Sequence, residues 1–210
     1  MDIYTVINAR RTIRDFEDIP VEMALVKKII DAGLKAPTND HMRNWEFIIV
    51  NDKNVRANLL RIIPETESSD KSNVDKMLDS WGMTDTEQRN MYLDAVPKQY
   101  AMLYNSGCLI LPFFRQDAEL LQPKSLSSLN GFASMWCCIE NILLSAVSEG
   151  IFGVTRIPFD DEIQHIKSVT QCPNNYVLPC YIGLGYPKKN AVIITQKKVS
   201  VNDKIHMNKW

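Results

Sequence analysis

A basic cluster near the start of the chain is the first group of residues whose types and spacing suggest chemistry. Residues 10–14 read Arg-Arg-Thr-Ile-Arg, and Arg10 and Arg14, four positions apart, would share one face of a helix. Three guanidinium groups, with the hydroxyl of Thr12 between them, would bind a dianion such as a phosphate. The alternative is a solvated basic face that pairs with the carboxylates of residues 15–18, and the cluster taken alone favours this alternative.

A polar loop, residues 37–44, is the second such group, because it lies between a predicted helix and a predicted buried strand. A loop held at both ends presents polar side chains without burying them deeply. This loop carries five side chains that could hydrogen-bond the edge of a heteroaromatic ring. They are Thr38, Asn39, Asp40, His41 and Arg43.

Other kinds of chemistry are not indicated by the sequence. No G-x-G-x-x-G run follows a strand, and there is neither a phosphate-binding Walker loop nor a G-x-S-x-G nucleophile motif. The three histidines are scattered, so no metal site is predicted. Five cysteines without a C-x-x-C spacing predict neither a disulfide framework nor a zinc site, and we expect reduced thiols in the cytoplasm.

Length and charge narrow the class of protein further. A chain of 210 residues predicts a single domain, residues 1–210. Its 24 basic and 25 acidic residues give a net charge of 24 − 25 = −1, which argues against binding nucleic acid through bulk charge. The longest uncharged apolar run, residues 125–139, is shorter than the ~20 residues needed to cross a bilayer, so no membrane span is predicted.

Hydrophobic periodicity predicts the elements that position the two polar groups. Helices are predicted over residues 21–36, from the cap Asp52 to about residue 62, from a capping box of Thr84 with Glu87, and from residue 160. Strands are predicted over residues 47–50, 108–114 and 177–184, with a short extended piece at 191–195. The polar stretch 64–82 is expected to be a mobile insertion or lid. This mixture predicts an α+β fold.

Residues 125–150 predict one long helix that carries only two charges, Glu140 and Glu149. A helix that is apolar all round is buried all round. It therefore lies either at the centre of the core or at a large self-association surface. The tail, residues 196–210, spreads apolar residues among polar ones and is easier to lay across a partner than to bury on its own domain.

Four segments together resemble the flavin-dependent nitroreductase family, in the family's order and at its usual separations. They are residues 10–16, 37–47, 131–153 and 183–187. The resemblance implies a nitroreductase-like α+β fold, a central antiparallel or mixed sheet surrounded by helices. It also implies a homodimer, with the long buried helix at its interface and a C-terminal arm of about residues 196–210 that reaches the partner subunit.

The family likeness further implies one flavin mononucleotide (FMN) in each of two interface pockets. The basic cluster and a basic pair near the C-terminus would hold the phosphate, the polar loop would hold the ring, and a backbone amide after the long helix would contact the reactive ring nitrogen. The implied residues are Arg10, Arg11, Thr12, Arg14, Lys197 and Lys198 for the phosphate, Pro37, Thr38, Asn39, His41 and Arg43 for the ring, and Gly153 and Val154 for the backbone contact.

The polar loop departs from the family pattern P-S-x-x-N-x-Q-P-W-x-F. The chain has Thr38 for the serine, His41 for the asparagine, Arg43 for the glutamine and Asn44 for the proline. A fixed positive charge at Arg43 would lie near the pyrimidine edge of the flavin, where negative charge accumulates on reduction. The hypothesis is that Arg43 raises the reduction potential.

The implied activity is an oxidoreductase in which NADH or NADPH and a small acceptor, such as a nitroaromatic or a quinone, use the same site in turn. Such chemistry needs no catalytic side chain, because the flavin carries it. One alternative is a narrower reaction on the same fold, such as enone reduction or reductive dehalogenation. Others are a flavin-binding or sensing protein without turnover, and a dimeric helical scaffold.

Overall fold

A five-stranded antiparallel sheet forms the centre of the protein in a computed structural model, which describes residues 1–39, 41–65, 71–117 and 119–210. Four strands follow the order β1-β2-β5-β3, and β4 pairs with the end of β2. The strands are β1 Trp45–Val50, β2 Cys108–Arg115, β3 Phe152–Arg156, β4 Tyr176–Val177 and β5 Tyr181–Gly185. The α+β class and the nitroreductase-like arrangement expected from the sequence are confirmed.

Eight α-helices surround the sheet within the described residues. They are α1 Ile3–Ala9, α2 Met23–Leu34, α3 Lys53–Leu60, α4 Lys71–Ser80, α5 Thr86–Ala95, α6 Ala101–Tyr104, α7 Asn130–Ser148 and α8 Asp160–Thr170. Short 3-10 turns cover Val96–Lys98, Leu126–Leu129 and Val201–Asp203.

The sheet has a hydrophobic core on each face. Side chains of a strand alternate between the faces, so Cys108 and Ile110 of β2 pack with α2 and α7, whereas Leu109 and Leu111 pack with α3 and α8. Because both faces are covered, the whole of β2 up to Phe114 is buried, which explains its continuous apolar run.

One helix was not predicted from the sequence, and one predicted helix cap is wrong. The stretch 64–82, expected to be a mobile insertion or lid, contains helix α4, and residues 66–70 lie outside the described part of the chain. The cap of α5 is Asp85, whose carboxylate accepts from the backbone N–H of Gln88 at 2.9 Å, and not Thr84. Aspartate and threonine are both common N-cap residues, so the sequence pattern does not determine which of two adjacent residues is the cap.

Strand predictions near the C-terminus are also corrected. The strand predicted over residues 177–184 is divided into β4 and β5 around Pro179, which has no N–H for a ladder. Residues 191–195, predicted to be a short extended piece, belong to none of the five strands, and β3, which was not predicted from the sequence, lies at the end of the sheet order. A strand that short, with a glycine inside it, has little periodicity to detect.

The long helix α7 is buried on one face only. Six residues on that face are buried, most of them in the core cluster with α2: Met135, Cys138, Ile139, Ile142, Ala146 and Val147. The opposite face exposes a stripe of Ala133, Cys137 and Glu140. The expectation that it is buried all round is therefore not met within one chain.

By length and composition, the stretch Leu126–Ser148 would be able to cross a membrane, and it is the one such helix among the residues described. Core helices of soluble proteins meet the same criterion. The burial of one face of α7 against α2 and the sheet is the packing of a core helix.

Gly33 lets α2 approach α7 closely. A Cβ at this position would lie 2.7 Å from Cγ1 of Ile142 and 3.1 Å from Sγ of Cys138. Nearby, the amide of Asn141 donates to the carbonyl of Ala32 at 3.3 Å. Because α2 leads directly into the polar loop, this contact fixes where the loop begins.

We expect Gly33→Ala to lower the free energy of unfolding by about 1–3 kcal/mol through overpacking, although alanine favours helix by about 1 kcal/mol. Urea denaturation followed by circular dichroism measures the change. In an Ile142→Ala background the added methyl has room, so the same substitution should be neutral or stabilising. An equal loss in both backgrounds would contradict this packing.

Candidate functional site

The basic cluster lies in extended chain and not on a helix. Helix α1 ends at Ala9, and Thr12 pairs with Gly153 of β3 in a parallel bridge. The N–H of Ile13 donates to the carbonyl of Gly153 at 3.2 Å. The expectation that Arg10 and Arg14 share a helix face is wrong, because the burial of Ile13 in the core holds this segment along the sheet edge.

Each arginine of the cluster has a different partner. Nε of Arg10 lies 3.6 Å from a carboxylate oxygen of Glu140 on α7. Arg11 donates to the carbonyls of Asn8 and Arg10 at 2.7 and 2.6 Å. Arg14 pairs with Asp94 at 3.2 Å, and the side chains of both are only 10% exposed.

Asp94 belongs to a compact cluster of alternating charge. Lys98 donates to Asp94 at 2.5 Å and to Asp15 at 2.6 Å, so two cations and two carboxylates compensate one another. Burial opposes the charged form of Lys98, but its hydrogen bonds to Asp15 and Asp94 outweigh burial and raise the pKa of the ammonium group. The cluster therefore ties the end of the basic segment firmly to α5.

Two adjoining cavities bring the basic cluster and the C-terminal segment together. The arginine cavity, about 230 Å³, is lined by Arg10, Arg11, Thr12, Arg14, Met91 and residues 194–196. The lysine cavity, about 480 Å³, is lined by Arg11 and residues 193–198, which include Lys197 and Lys198. Arg11 lines both, so the two basic segments that are far apart in sequence meet at this residue.

The polar loop lines a separate cavity of about 220 Å³, here called the loop cavity. Thr38, Asn39 and Arg43 line it, together with the first turn of α7. Pro37 and His41 are exposed and do not line it, and Asp40 lies outside the described residues.

Arg43 is held by the loop's own backbone. It has a left-handed φ of 46°, and its Nε donates to the carbonyl of Leu34 at the end of α2 at 2.8 Å. A second nitrogen donates to the carbonyl of His41 at 3.2 Å. The guanidinium group therefore closes the loop and also faces the loop cavity.

The hydroxyl of Thr38 is an unsatisfied buried polar atom. Its Oγ1 is shielded from solvent and has no hydrogen-bond partner among the described residues. Such a group costs free energy unless a partner is supplied. A ligand with a hydrogen-bonding edge in the loop cavity would supply one.

Gly153 and Val154 lie inside β3, directly beside the basic segment. A Cβ on Gly153 would lie 2.6 Å from Cδ2 of Leu143 and 3.0 Å from Cδ2 of Leu184, so any larger residue would require both leucine side chains to move. Val154 is buried and pairs with Gly183. The structure thus brings Gly153 to Thr12.

Helix α5 contributes to the site in two ways. Met91 lines the arginine cavity, and Asp94 fixes Arg14 through an ion pair that was not predicted from the sequence. The spacing of Asp94 and Lys98, four residues apart with opposite charge, was the available signal. Among the described residues, no group of three or more His, Cys, Asp or Glu side chains could hold a metal ion.

Residues 7–186 match the model of the nitroreductase family, and the chain belongs to that family. Members are FMN-dependent oxidoreductases, and this chain is an enzyme of that class.

Curated relatives include an iodotyrosine deiodinase from Danio rerio, 27% identical over 205 residues, which cover 95% of this chain and 65% of that protein. A candidate NADH dehydrogenase/NAD(P)H nitroreductase from Methanothermobacter thermautotrophicus is 27% identical over 214 residues, covering 100% and 88%.

Solved structures share the fold. A candidate NADH dehydrogenase/NAD(P)H nitroreductase from Parabacteroides distasonis aligns with a TM-score of 0.69 at 23% identity, covering 99% of this chain and 98% of that one. An iodotyrosine deiodinase bound to FMN and 3-iodo-L-tyrosine aligns with a TM-score of 0.67 at 19% identity, covering both chains fully, 100% each.

We expect Thr38→Val to leave the cofactor-free protein unchanged or to raise its free energy of unfolding by about 1 kcal/mol, because valine has the same shape without the unsatisfied hydroxyl. Thermal and urea unfolding of the apoprotein measure the change. Thr38→Ser keeps a hydroxyl and loses a methyl, so it should be less stable than the valine variant. The opposite order would show that the hydroxyl has a partner in the apoprotein.

Proposed function

We propose that this protein is an FMN-dependent NAD(P)H oxidoreductase that reduces a small acceptor, such as a nitroaromatic or a quinone, by ping-pong hydride transfer. The observation that carries the proposal is the convergence of Arg10, Arg11 and Thr12 with Lys197 and Lys198 around two adjoining cavities. Several guanidinium and ammonium groups around these adjoining cavities would suit the binding of a phosphate dianion.

The residues present fit FMN. Arg11, Thr12 and the two lysines would hold the phosphate, and the unsatisfied hydroxyl of Thr38 would find a partner on the edge of the ring. Bound FMN supplies the redox chemistry, which accounts for a nicotinamide-using enzyme without a dinucleotide-binding glycine motif. The protein's own part is to bind, to orient and to exclude water.

The positions of Arg14 and Arg43 refine the roles proposed for them. Arg14 is nearly buried and already compensated by Asp94, so we assign it to shaping the arginine cavity more than to free charge on the phosphate. Arg43 is fixed by two carbonyls, which would hold its positive charge steady beside the ring.

A homodimer is part of the proposal. The arginine cavity and the loop cavity share no lining residue, and we assign the two halves of one flavin site to different chains of the dimer. The exposed stripe of α7 and the apolar side chains of the tail, among them Trp210 at 100% exposure, are surfaces that a second copy would cover. We place the protein in the cytoplasm, where its thiols stay reduced.

Cysteine labelling tests the dimer. Burial raises the pKa of Cys108 to about 11 and that of Cys138 to about 12, so neither reacts readily at pH 8 in the folded protein. Cys137 is exposed on the stripe of α7, and Cys172 is half-buried elsewhere. We expect iodoacetamide to modify Cys137 slowly in the dimer and faster on dilution, whereas the rate at Cys172 stays constant. A rate at Cys137 that is independent of protein concentration would contradict this interface.

A second candidate reaction is reductive dehalogenation of a halogenated phenol. Several relatives are iodotyrosine deiodinases, among them one from Sus scrofa that is 25% identical over 196 residues, covering 91% of this chain and 63% of that protein.

The visible spectrum under anaerobic conditions tests the function. Protein reconstituted with FMN should show flavin absorption that NADH or NADPH bleaches and that an added acceptor restores. A panel of a quinone, a nitroaromatic, an enone and a halophenol then ranks the reactions. Failure of both nicotinamides to bleach the flavin would remove the NAD(P)H assignment, and reduced flavin that persists with every acceptor would contradict the proposed acceptors.

A further inference from the structure

Lys197 lies between two cavities that differ in charge. On one side it lines the lysine cavity with Arg11 and Lys198, and none of the described residues that line this cavity is acidic. On the other side it lines a cavity of about 350 Å³ that also contains Asp85 and Glu87 from the start of α5. Its ammonium group can therefore face either an anion in the lysine cavity or the carboxylates of α5.

Asp85 uses its two carboxylate oxygens for different purposes. Oδ1 caps α5 by accepting from the N–H of Gln88 at 2.9 Å, and Oδ2 accepts from Nζ of Lys197 at 2.9 Å. The hydrogen bond from Lys197 is the main reason that the pKa of Asp85 is lowered, and the same bond raises the pKa of Lys197. The lysine is thus held on the α5 side.

The pair is exposed, which makes it exchangeable. The side chains of Lys197 and Asp85 are 68% and 43% exposed, and ion pairs in such surroundings contribute little. The contrast is the pair of Arg14 with Asp94, which is nearly buried and reinforced by Lys98. Lys197 can therefore exchange its partner at a small cost in free energy, whereas Arg14 cannot.

We propose that Asp85 controls how tightly the protein holds the phosphate end of its cofactor, by competing with that phosphate for the ammonium group of Lys197. The inference rests on the proposed function. A dianion near Arg11 and Lys198 gains a third cation when Lys197 leaves Asp85. Because the ion pair of Lys197 with Asp85 must break first, its free energy lowers the affinity for the phosphate. Asp85 is a positioning residue here, because it contacts Lys197 and not the cofactor.

The test compares FMN with riboflavin, which has the same ring and no phosphate, in fluorescence titrations of the apoprotein. Asp85→Asn removes the charge while an amide oxygen can keep the cap, since asparagine caps as well as aspartate. We expect this variant to bind FMN about two- to fivefold more tightly, with riboflavin affinity unchanged.

Two further variants isolate the pair. Glu87→Gln removes the same charge from the same turn and cavity, but Glu87 makes no hydrogen bond to Lys197 among the described contacts. Its FMN affinity should change less than that of the Asp85 variant. Lys197→Gln should weaken FMN binding, and adding Asp85→Asn to it should then have no effect.

The outcomes separate the inference from the function. Weaker FMN binding by Asp85→Asn, an equal gain for riboflavin, or a gain that persists without Lys197 would each overturn the competition. FMN binding that Asp85→Asn does not change overturns the inference alone and leaves the proposed function standing. If the wild type binds neither flavin, both fail.

Discussion

Repulsion between like charges is the constraint on which the candidate site depends. Arg10, Arg11 and Arg14 fall within five positions, and the fold adds two lysines beside them. Uncompensated, such a group destabilises the compact state. Carboxylates from other elements compensate these charges. Glu140 on α7 pairs with Arg10, Asp94 on α5 pairs with Arg14, and Asp85 pairs with Lys197. Among the described ion pairs, Arg11 and Lys198 have no such partner, and they line the same cavity.

These ion pairs differ in how deeply they are buried, and burial decides whether a cation has a structural role or can exchange its partner. Breaking a nearly buried pair leaves an unpaired charge away from water, which is costly. Arg14 therefore has a structural role. A solvent-exposed pair is weak and can be replaced by a stronger anion. The same helix, α5, makes both kinds, one at each end, so it links the basic segment to the C-terminal segment.

Local signals predicted the residue types of the site but not its geometry. The helical spacing of Arg10 and Arg14 was a fair local reading, yet the burial of Ile13 against the sheet decided the conformation, and that is a long-range effect. Strands with continuous apolar runs, such as β2, were predictable because both faces are covered. Asp94 was not, since its partner lies 80 residues away in the chain.

Helix α7 fixes the position of the arginine cavity relative to the loop cavity. Gly33 admits Ile142 where α2 crosses α7, just before the polar loop, and Gly153 admits Leu143 where β3 meets the basic segment. Neighbouring residues of one helix therefore set the positions of both polar groups. Because the opposite face of α7, with Ala133, Cys137 and Glu140, remains exposed, it is available for the self-complementary contact that the proposed twofold dimer requires.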